Sequence, residues 1–354
     1  MRNFGSDKLP ALEAKFEAQK ISFGPIAFQA VRAIRDLGIL AMVEDSRKKG
    51  ILVEDIVNEL KLSRYGIQVL LDAGISIGVV LQKNDRFYLT KTGYFILNDP
   101  LTTANLDFVQ DVNYLGFFNL DESIKSGKPE GLKVFGDWDT VYAALSELPP
   151  KVQKSWFQFD HYYSDLVFPL VMPLIFADKP KNLLDIGGNT GKFSIKAARY
   201  NEDVHITILD LEGQLNVAYN NIEAEGLSDR IDGFPINLLD STKAYPSGVD
   251  AIWMSQFLDC FSEEEISHLL SRAFDALIPG GILYINETYW DRQKYPASSY
   301  SLNMTSLYFT AIANGNSRMY HSEDMIRLVN KAGFHIVEDI DGLGVSHTLL
   351  KCEK

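Results

Sequence analysis

A glycine-rich turn between a predicted strand and a predicted helix decides the fold of this chain. Residues 183–191 read LLDIGGNTG, and a helical stretch over residues 192–200 follows directly. Glycines allow the backbone to turn tightly and to approach a ligand closely, and the first turn of the next helix offers unpaired N–H groups. Dinucleotide sites and ordinary tight turns use the same pattern, so the surrounding sequence has to decide between them.

The surrounding sequence alternates between strand-like and helical segments. Strands are predicted at residues 182–186, 205–209, 251–254 and 282–285, and helices at residues 192–200, 215–225 and 263–276. Apolar strands that alternate with helices are typical of a parallel sheet covered on both faces. The sequence therefore predicts an α/β fold with a doubly wound, Rossmann-like sheet, in which ligands bind beyond the carboxyl ends of the strands.

An acid closes the second predicted strand. Asp210 lies about twenty residues after the turn, where a carboxylate can accept hydrogen bonds from both hydroxyls of a ribose. The turn departs from the dinucleotide fingerprint G-x-G-x-x-G, and the absence of G-x-x-x-x-G-K-[ST] excludes a P-loop. Asp185 at the head of the turn favours a ligand with a cationic or amine group over a pyrophosphate. S-adenosylmethionine carries a sulfonium and a free amino group, whereas NAD presents its pyrophosphate to such a turn.

The N-terminal part of the chain is predicted to be mostly helical and to resemble a winged helix. Ser63 is the predicted N-cap of a helix over residues 64–77, and two short strands follow at residues 79–83 and 86–90. The helix over residues 64–77 is mainly apolar, whereas base readout needs Arg, Lys, Asn and Gln, so we expect burial against another subunit rather than DNA binding. One upstream helix face is predicted to consist of Phe28, Val31, Ile34, Leu37 and Leu40.

The composition indicates a soluble, intracellular protein of two domains. The 354 residues are 46% hydrophobic and 23% charged, and the formal net charge is −13. An acidic surface without clusters of Lys and Arg repels nucleic acid and anionic membranes, so neither is an expected partner. The two cysteines, Cys260 and Cys352, exclude a disulfide framework and a thiolate zinc site, and no metal is expected. Without an apolar signal segment, the chain is expected to be cytoplasmic.

These motifs together resemble a known family, the class I S-adenosylmethionine-dependent methyltransferases. The turn matches that family's D-x-G-G-G-x-G loop with Asn189 in place of the third glycine, and Asp210 matches its ribose-binding acid. Residues 235–240 (PINLLD) align with P-G-D-F-F-D, which puts Asn237 where an acid meets adenine. Two later motifs match at residues 279–287 (PGGILYINE) and 331–334 (KAGF). The resemblance is specifically to two-domain small-molecule O-methyltransferases related to caffeate and hydroxyindole O-methyltransferases.

This resemblance implies a domain organisation and a set of cofactor contacts. Residues 1–105 would form a winged-helix-like domain that makes a homodimer, residues 106–165 a helical linker region, and residues 166–354 the methyltransferase domain. S-adenosyl-L-methionine is the expected cofactor, with S-adenosyl-L-homocysteine as its product. The residues expected to contact the cofactor are Asp185, Gly187, Gly188, Gly191, Asp210, Leu211, Asn237, Leu238, Ser255 and Tyr163.

The catalytic segment departs from the family pattern. Members that methylate phenols carry V-L-H-D-W-S-D-E-E after the fourth strand, whereas residues 257–265 read FLDCFSEEE. The alignment puts Asp259 in the place of the histidine base and keeps Glu287 as a supporting acid, while a second supporting acid aligns near Met319 and is lost. A phenol benefits from a base, and Asp259 could serve if burial near Glu287 raises its pKa. Alternatively, Asp259 only provides a negative charge for the helix that begins near Ser262.

An aromatic helix predicted over residues 152–167 offers a different base, His161, and a wall for the acceptor. The same aromatic residues could instead form an interdomain core. The acceptor-lining residues implied by the resemblance are Phe159, Tyr162, Asn303 and Met304.

The sequence leaves three functions open. O-methylation of a small aromatic hydroxyl compound is the leading hypothesis. The lost histidine and the lost second acid also allow a non-catalytic ligand-binding or regulatory protein on a degenerate methyltransferase scaffold. A nitrogen, carbon or sulfur acceptor is the third possibility, because an acceptor pocket is built from scattered side chains.

Overall fold

The computed structural model describes residues 7–354 and divides the chain into two units, Arg2–Val109 and Gln110–Lys354. The helices and strands of the first unit are α1 (Ala11–Ser22), α2 (Gly24–Asp36), α3 (Ile39–Asp45), α4 (Val53–Leu60), α5 (Arg64–Ile77), β1 (Val80–Lys83), β2 (Arg86–Leu89), α6 (Lys91–Asn98) and α7 (Pro100–Phe108). The boundary expected between residues 105 and 106 falls inside α7, and the segment expected as a linker belongs to the second unit from Gln110 onward. No helix within residues 7–354 combines the length and the apolar character needed to cross a membrane.

Local sequence explains α5 and the two-stranded ribbon that follows it. The hydroxyl oxygen of Ser63 accepts a hydrogen bond from the N–H of Gly66 at 3.0 Å, which confirms the predicted N-cap. Strands β1 and β2 pair antiparallel around Asn84 and Asp85, whose φ values of 48° and 62° suit a tight hairpin turn. The residues that α5 buries are Ile67, Leu71 and Gly74.

The apolar helix face predicted upstream of α5 is wrong at Leu37. Helix α2 ends at Asp36, and Gly38 adopts a left-handed conformation with φ 84° before α3 begins. Leu37 lies in this break and is exposed, whereas Ile34 and Leu40 on either side are fully buried. A left-handed glycine therefore interrupts a periodicity that the sequence pattern continues across it.

The second unit is a seven-stranded sheet with helices on both faces. Its strands are β3 (Asn182–Ile186), β4 (His205–Asp210), β5 (Ile231–Pro235), β6 (Val249–Ser255), β7 (Leu277–Glu287), β8 (His335–Leu343) and β9 (His347–Glu353). Its helices are α8 (Leu120–Ser126), α9 (Val141–Ala144), α10 (Pro150–Ser164), α11 (Phe168–Phe176), α12 (Lys192–Tyr200), α13 (Glu212–Ala224), α14 (Glu263–Ala276), α15 (Pro296–Tyr308) and α16 (Ser322–Lys331). The strand order is β5-β4-β3-β6-β7-β9-β8, with β3 to β7 parallel and β9 antiparallel to both neighbours. The predicted α/β fold with a doubly wound sheet is confirmed.

Two apolar layers cover the faces of this sheet. Helices α14 and α16 bury Leu270 and Val329 against one face, and α11 and α12 bury Val171 and Ala197 against the other. The chain leaves β3 toward β4 on one side and later returns to β6 on the other side, so the strand order reverses between β3 and β6. In sheets of this kind, such a reversal opens a crevice beyond the carboxyl ends of the two strands.

Candidate active site

The crevice between β3 and β6 gathers the sequence motifs at one edge of the sheet. Strand β3 pairs in parallel with β4 and β6, so the turn after β3, the acid that ends β4 and the segment after β6 come together. Gly187 has φ 74°, and a Cβ atom added to it would lie only 2.4 Å from the ring of Phe257. A larger residue would fill this position, so glycine is what allows the turn and the catalytic segment to touch.

Asn189 replaces the family's glycine without changing the backbone that a glycine would adopt. Its φ of 50° lies in the left-handed region, which asparagine tolerates better than most residues do. Its backbone N–H donates to Oδ2 of Asp210 at 2.8 Å, so turn and acid are tied together. Its side-chain Oδ1 is buried without a hydrogen-bond partner. Such an orphaned acceptor fits a bound ligand that carries a donor.

The carboxylate of Asp210 keeps acceptor capacity for a ribose. Besides the N–H of Asn189, it accepts the N–H of Leu211 through Oδ1 at 2.7 Å, and burial raises its pKa. A carboxylate offers about four acceptor positions, and these two bonds leave the others for ligand hydroxyls. The residues present therefore fit an adenosyl ligand at this turn.

Asp185 lies beneath the turn rather than open to the crevice. It is 2% exposed, and its Oδ2 accepts a hydrogen bond from the hydroxyl of Ser194 on α12 at 2.6 Å. Burial raises the pKa of Asp185 to about 7; the bond from Ser194 opposes this rise, and the charge of Asp210 adds to it. A Cβ atom added to Gly188 would lie 2.8 Å from this carboxylate. Asp185 thus lies against the backbone of the turn from below.

Apart from Tyr163 on α10, the remaining residues expected to contact the cofactor lie at or just beyond the carboxyl ends of β3 to β6. Asn237 is exposed, and its Oδ1 accepts the N–H of Leu239 at 3.0 Å. Ser255 ends β6, and its hydroxyl oxygen accepts a hydrogen bond from Nδ2 of Asn286 at 2.8 Å. Leu238 is buried, Leu211 is partly open to solvent and Gly191 precedes α12 with φ 77°. Tyr163 is buried on α10, with its ring 5.1 Å from that of Phe159.

Glu287 fixes the segment that carries Asp259. Asp259 lies in a short 3₁₀ helix, Leu258–Cys260, and is 6% exposed. Glu287 ends β7, and its Oε1 accepts the N–H groups of Phe257 at 2.9 Å and of Leu258 at 2.8 Å. The Oε2 atom of Glu287 is buried and has no hydrogen-bond partner. Glu287 thus orients the catalytic segment, and the backbone N–H of Asp259 also lowers the pKa of this carboxyl.

The two acids titrate above their usual range. Burial raises the pKa of Asp259 to about 6. Burial, followed by the negative charge of Asp259, holds the pKa of Glu287 well above the ordinary value of a glutamate. An aspartate with such a pKa is ionised at neutral pH and is still basic enough to accept a proton.

The helix after Asp259 has its own cap. The hydroxyl oxygen of Ser262 accepts the N–H of Glu265 at 3.3 Å, and the carboxylate of Glu265 accepts the N–H of Ser262 at 2.8 Å. This capping box and the acids Glu263 and Glu264 complete the first turn of α14. Ser262 and Glu265 therefore cap this helix by themselves.

Gln256 and His347 support the catalytic segment from the other side. Gln256 has φ 46°, and its N–H donates to the carbonyl oxygen of Asn286 at 2.9 Å. Its side-chain Oε1 lies 3.0 Å from Nε2 of His347. Burial lowers the pKa of His347 to about 4, so the imidazole is neutral and donates Nε2–H to this oxygen. Sequence analysis singled out neither residue of this contact.

His161 lies on α10 beside Phe157. Its ring lies 5.5 Å from that of Phe157, and its buried Nε2 has no hydrogen-bond partner. Burial, and then the charge of Lys192, lower its pKa, while Asp165 opposes them. Lys192 and Asp165 themselves form an ion pair at 3.0 Å. The groups that act on His161 are thus a separate ion pair and not Asp259.

Sequence analysis missed Asp160, the residue before His161. Burial, and then the negative charge of Asp259, raise the pKa of Asp160 to about 7. Trp156, four residues earlier on the same face of α10, donates its Nε1–H to the hydroxyl oxygen of Tyr308 at 2.7 Å. Sequence analysis also missed Tyr308. The only signal for the face of α10 that carries Trp156 and Asp160 was the helical spacing of its buried residues.

The expected acceptor-lining residues are spread over two helices. The ring of Tyr162 lies 6.2 Å from that of Tyr163 on α10. On α15, Asn303 is half-buried and Met304 is exposed. Met319, where the second supporting acid would align, is buried and accepts a contact from the hydroxyl of Thr288 at 3.4 Å. A thioether therefore occupies the neighbourhood of Glu287 instead of a second carboxylate.

Comparisons with known proteins agree with this architecture. A family model described as an O-methyltransferase domain matches residues 117–335, and one described as a Dimerisation2-like domain matches residues 15–87. L-tyrosine C(3)-methyltransferase of Streptomyces lavendulae is 26% identical over 324 residues, which cover 89% of this chain and 85% of that protein.

Two solved structures share the fold. The S-adenosylmethionine-dependent methyltransferase SibL, in its apo form, gives a TM-score of 0.73 at 22% identity and covers 95% of this chain and 98% of its own. The O-methyltransferase NcsB1 from neocarzinostatin biosynthesis, solved with S-adenosylmethionine and 2-hydroxy-5-methyl naphthoic acid, gives 0.66 at 18% identity, covering 92% and 95%. Because the first family model spans more than half of the chain and the turn fits an adenosyl ligand, this protein belongs to the S-adenosylmethionine-dependent small-molecule O-methyltransferases.

Proposed function

We propose that this enzyme methylates the hydroxyl group of a small aromatic compound, with Asp259 as the base. The observation that carries the proposal is the buried Asp259 on a segment that Glu287 fixes and that touches the glycine turn through Phe257. An aromatic acceptor is supported by the naphthoic acid in the NcsB1 structure and by the tyrosine in the name of the Streptomyces relative.

Cofactor binding is assigned to the edge formed by the glycine turn and the neighbouring strand ends. Asp210 would accept hydrogen bonds from the ribose hydroxyls, and the amide of Asn237 would meet the adenine edge. Asp185 would attract the positive charge of the ligand from beneath the turn. The residues that would complete the contacts are Gly187, Gly188, Gly191, Leu211, Leu238, Ser255 and Tyr163. When bound, S-adenosylmethionine supplies an electrophilic methyl group on a positively charged sulfur.

Asp259 would remove the acceptor's proton. A phenol has a pKa of about 10, so a positioned base raises the fraction that reacts as the more nucleophilic phenolate. The proton moves from the hydroxyl oxygen to the Asp259 carboxylate, and the oxygen gains the electron pair with which it attacks. Glu287 keeps the base in place through two backbone N–H groups, and the aromatic residues Phe159 and Tyr162 would orient the ring of the acceptor. Asn303 and Met304 would line the pocket from α15.

A binding titration and a transfer assay test this proposal on the full-length chain. Isothermal titration with S-adenosylhomocysteine should show one site per chain. Labelled S-adenosylmethionine should then methylate members of a panel of phenols, catechols and naphthols, and NMR of the products should place the methyl group on oxygen. Absence of cofactor binding would refute the assignment. Binding without turnover of any phenol, amine or thiol would favour the non-catalytic alternative, and a methyl group on carbon would move the acceptor atom.

The N-terminal residues 1–105 are proposed to form the homodimer, with residues 106–165 leading into the methyltransferase domain at residues 166–354. Helix α1 exposes Leu12, Phe16 and Ile21, which are large apolar residues that a partner subunit could cover. Light scattering should give the mass of a dimer, and Phe16→Glu should yield the monomer.

We further propose a cytoplasmic location without nucleic acid or membrane as partner, in keeping with the free thiols of Cys260 and Cys352.

A further inference from the structure

The loop after β5 contains Asn237, which is proposed to meet the adenine of the cofactor. Residues 236–245 are called the adenine loop below. The start of this loop is bound to the strand that ends in the ribose acid, because the N–H of Ile236 donates to the carbonyl oxygen of Asp210 at 2.9 Å. Three of its side chains are buried in the same core cluster as the apolar face of α14, and they are Ile236, Leu238 and Tyr245. The adenine loop therefore packs on α14.

Arg272 of α14 contacts the adenine loop at four points. Its guanidinium donates through Nη2 to the carbonyl oxygen of Leu238, and through Nη1 to those of Asp240 and Lys243, both at 3.1 Å. Its central carbon also lies 4.4 Å from the ring centre of Tyr245, which is 5% exposed. The planar fork of an arginine serves several acceptors at once while its face stacks on an aromatic ring, and a lysine does not reproduce this set of contacts.

The exposed part of the adenine loop otherwise makes local hydrogen bonds. The N–H of Asp240 donates to the carbonyl oxygen of Asn237 at 3.0 Å, and the hydroxyl of Thr242 donates to the carboxylate of Asp240 at 2.6 Å. Within residues 7–354, Arg272 is the only side chain from outside the loop that donates a hydrogen bond to it. An exposed segment with local bonds alone opens readily. The guanidinium is therefore the polar link between this part of the loop and the rest of the fold.

The same loop determines which end of the Asn237 amide is offered to a ligand. Its Oδ1 accepts the N–H of Leu239 at 3.0 Å, directly beside the Leu238 carbonyl that Arg272 binds. Since the oxygen is used within the loop, the Nδ2 group is the end that meets a base, and it is a donor. The N1 atom of adenine is an acceptor, whereas N1 of hypoxanthine carries a hydrogen. A fixed Nδ2 donor would therefore bind adenine and reject hypoxanthine, because two donors would face each other.

We propose that Arg272 is a positioning residue for the cofactor, which holds the adenine loop so that the Nδ2 group of Asn237 selects adenine through its N1 atom. The proposal rests on the proposed function, because it takes the adenine to lie at Asn237. Arg272 does not touch the base and acts through the carbonyl groups of the loop. Without the guanidinium, the loop would lose its polar link to α14, and ordering the amide would cost part of the binding free energy.

Calorimetry with two cofactor analogues tests the proposal on the full-length protein. S-adenosylhomocysteine and S-inosylhomocysteine differ only at the edge of the base that carries N1 and the group on C6. The wild type should bind the adenosyl compound at least about tenfold more tightly, in the range expected for one unsatisfied donor. Arg272→Met keeps an unbranched side chain and removes the guanidinium. It should weaken binding of the adenosyl compound until the two Kd values lie within about threefold, with little change for the inosyl compound.

A control variant and hydrogen exchange locate the effect in the loop. Lys243→Met removes a charge from the adenine loop but keeps the carbonyl group that Arg272 binds, so it should keep the preference for the adenosyl compound. In the ligand-free protein, the backbone amides of residues 237–245 should exchange at least about tenfold faster in Arg272→Met than in the wild type. They should exchange at the wild-type rate in Lys243→Met.

Equal binding of the two compounds by the wild type would overturn the inference, and so would a full preference or unchanged exchange in Arg272→Met. If Arg272→Met does not fold, Arg272→Lys decides, because one ammonium group does not reach all three carbonyl groups and the preference should fall by at least about threefold. A full preference in Arg272→Lys would then overturn the inference. Failure of both compounds to bind to the wild type would instead refute the proposed function.

Discussion

The glycine turn after β3 and the segment after β6 touch each other, yet they keep the family pattern to different degrees. The turn matches the family pattern except at Asn189, whose φ of 50° lies in the left-handed region that suits a glycine. The segment after β6 has exchanged its histidine for Asp259 and has Met319 near Glu287 where a second acid would align. The cofactor edge, formed by the glycine turn and Asp210, depends on backbone geometry. The acceptor edge, formed by the segment after β6, depends on side chains that can change.

The largest expected effect is that of replacing Asp259, which should impair catalysis at the acceptor edge and leave cofactor binding unchanged. Asp259→Asn removes the proposed base and should lower kcat/KM by about 10²–10⁴-fold, because general base catalysis contributes that much. The Kd for S-adenosylhomocysteine should stay within about twofold, since no cofactor contact changes. Asp259→His should recover part of the loss, and His161→Asn should have little effect. A full loss in His161→Asn with an active Asp259→Asn would exchange the two assignments.

The converse change is Asp210→Asn on the cofactor edge. It removes the negative charge that would accept the ribose hydroxyls, and charge-assisted hydrogen bonds contribute about 1.5–3 kcal/mol. We therefore expect the Kd for S-adenosylhomocysteine to rise by about 10- to 100-fold in calorimetry. The turnover rate at saturating cofactor should change far less. An unchanged Kd would show that the sugar lies elsewhere.

The pH dependence of kcat/KM tests the ionisation of Asp259 at the acceptor edge. Asp259 must be ionised to accept a proton, and its pKa is about 6. With a neutral phenol as acceptor, kcat/KM should fall about tenfold for each pH unit below 6 and be level above that value until other groups titrate. The same fall below pH 6 should be seen in His161→Asn. A fall that shifts to another pH or disappears in that variant would assign the titration to the imidazole.

Glu287 is expected to contribute to the stability of the fold through its hydrogen bonds to the segment after β6. Glu287→Gln keeps an oxygen for the N–H groups of Phe257 and Leu258 and should preserve the fold. Glu287→Ala leaves both groups buried without an acceptor, at a cost of about 1–3 kcal/mol each. Thermal unfolding should show a clear drop in Tm for the alanine variant only. Equal Tm values for the two variants would mean that these bonds do not hold the segment.

The smallest expected effect is that of Asn189→Gly, which restores the family's residue in the turn. The backbone is already left-handed at this position, so the change should preserve the turn, and loss of the orphaned Oδ1 should weaken cofactor binding by about threefold. Calorimetry with S-adenosylhomocysteine measures it. An unchanged affinity would show that the Oδ1 of Asn189 does not accept a hydrogen bond from the cofactor.

Elements with strong local signals were predictable from the sequence. Helices α12 and α14 were predicted with the bounds that they have, because apolar periodicity and the cap at Ser262 mark their limits. Strand β5 was missed, since its five residues include Gly233 and Pro235 and lie at the sheet edge. The pair β8 and β9 was also missed, because β8 is an edge strand with many exposed charged residues.

The candidate site likewise contains residues that the sequence could predict and residues that it could not. The turn and Asp210 are local motifs, so sequence alone could place them at adjacent strand ends. Trp156 and Tyr308 come from two separate helices and meet only through tertiary packing. The choice of His161 followed residue type, whereas the charge of Asp259 acts on its neighbour Asp160. A helix turns by 100° per residue, so adjacent residues face different surroundings, and only the packed structure decides between them.

The contact between Gln256 and His347 has a consequence for chemical probes. An imidazole that cannot reach solvent is a poor target for acylating reagents. Diethyl pyrocarbonate, the usual diagnostic for an essential histidine, should therefore leave this residue unmodified in the native protein. Inactivation by a carbodiimide, which reacts with protonated carboxyl groups, would be the corresponding signature of an enzyme whose proton transfer has passed from histidine to aspartate.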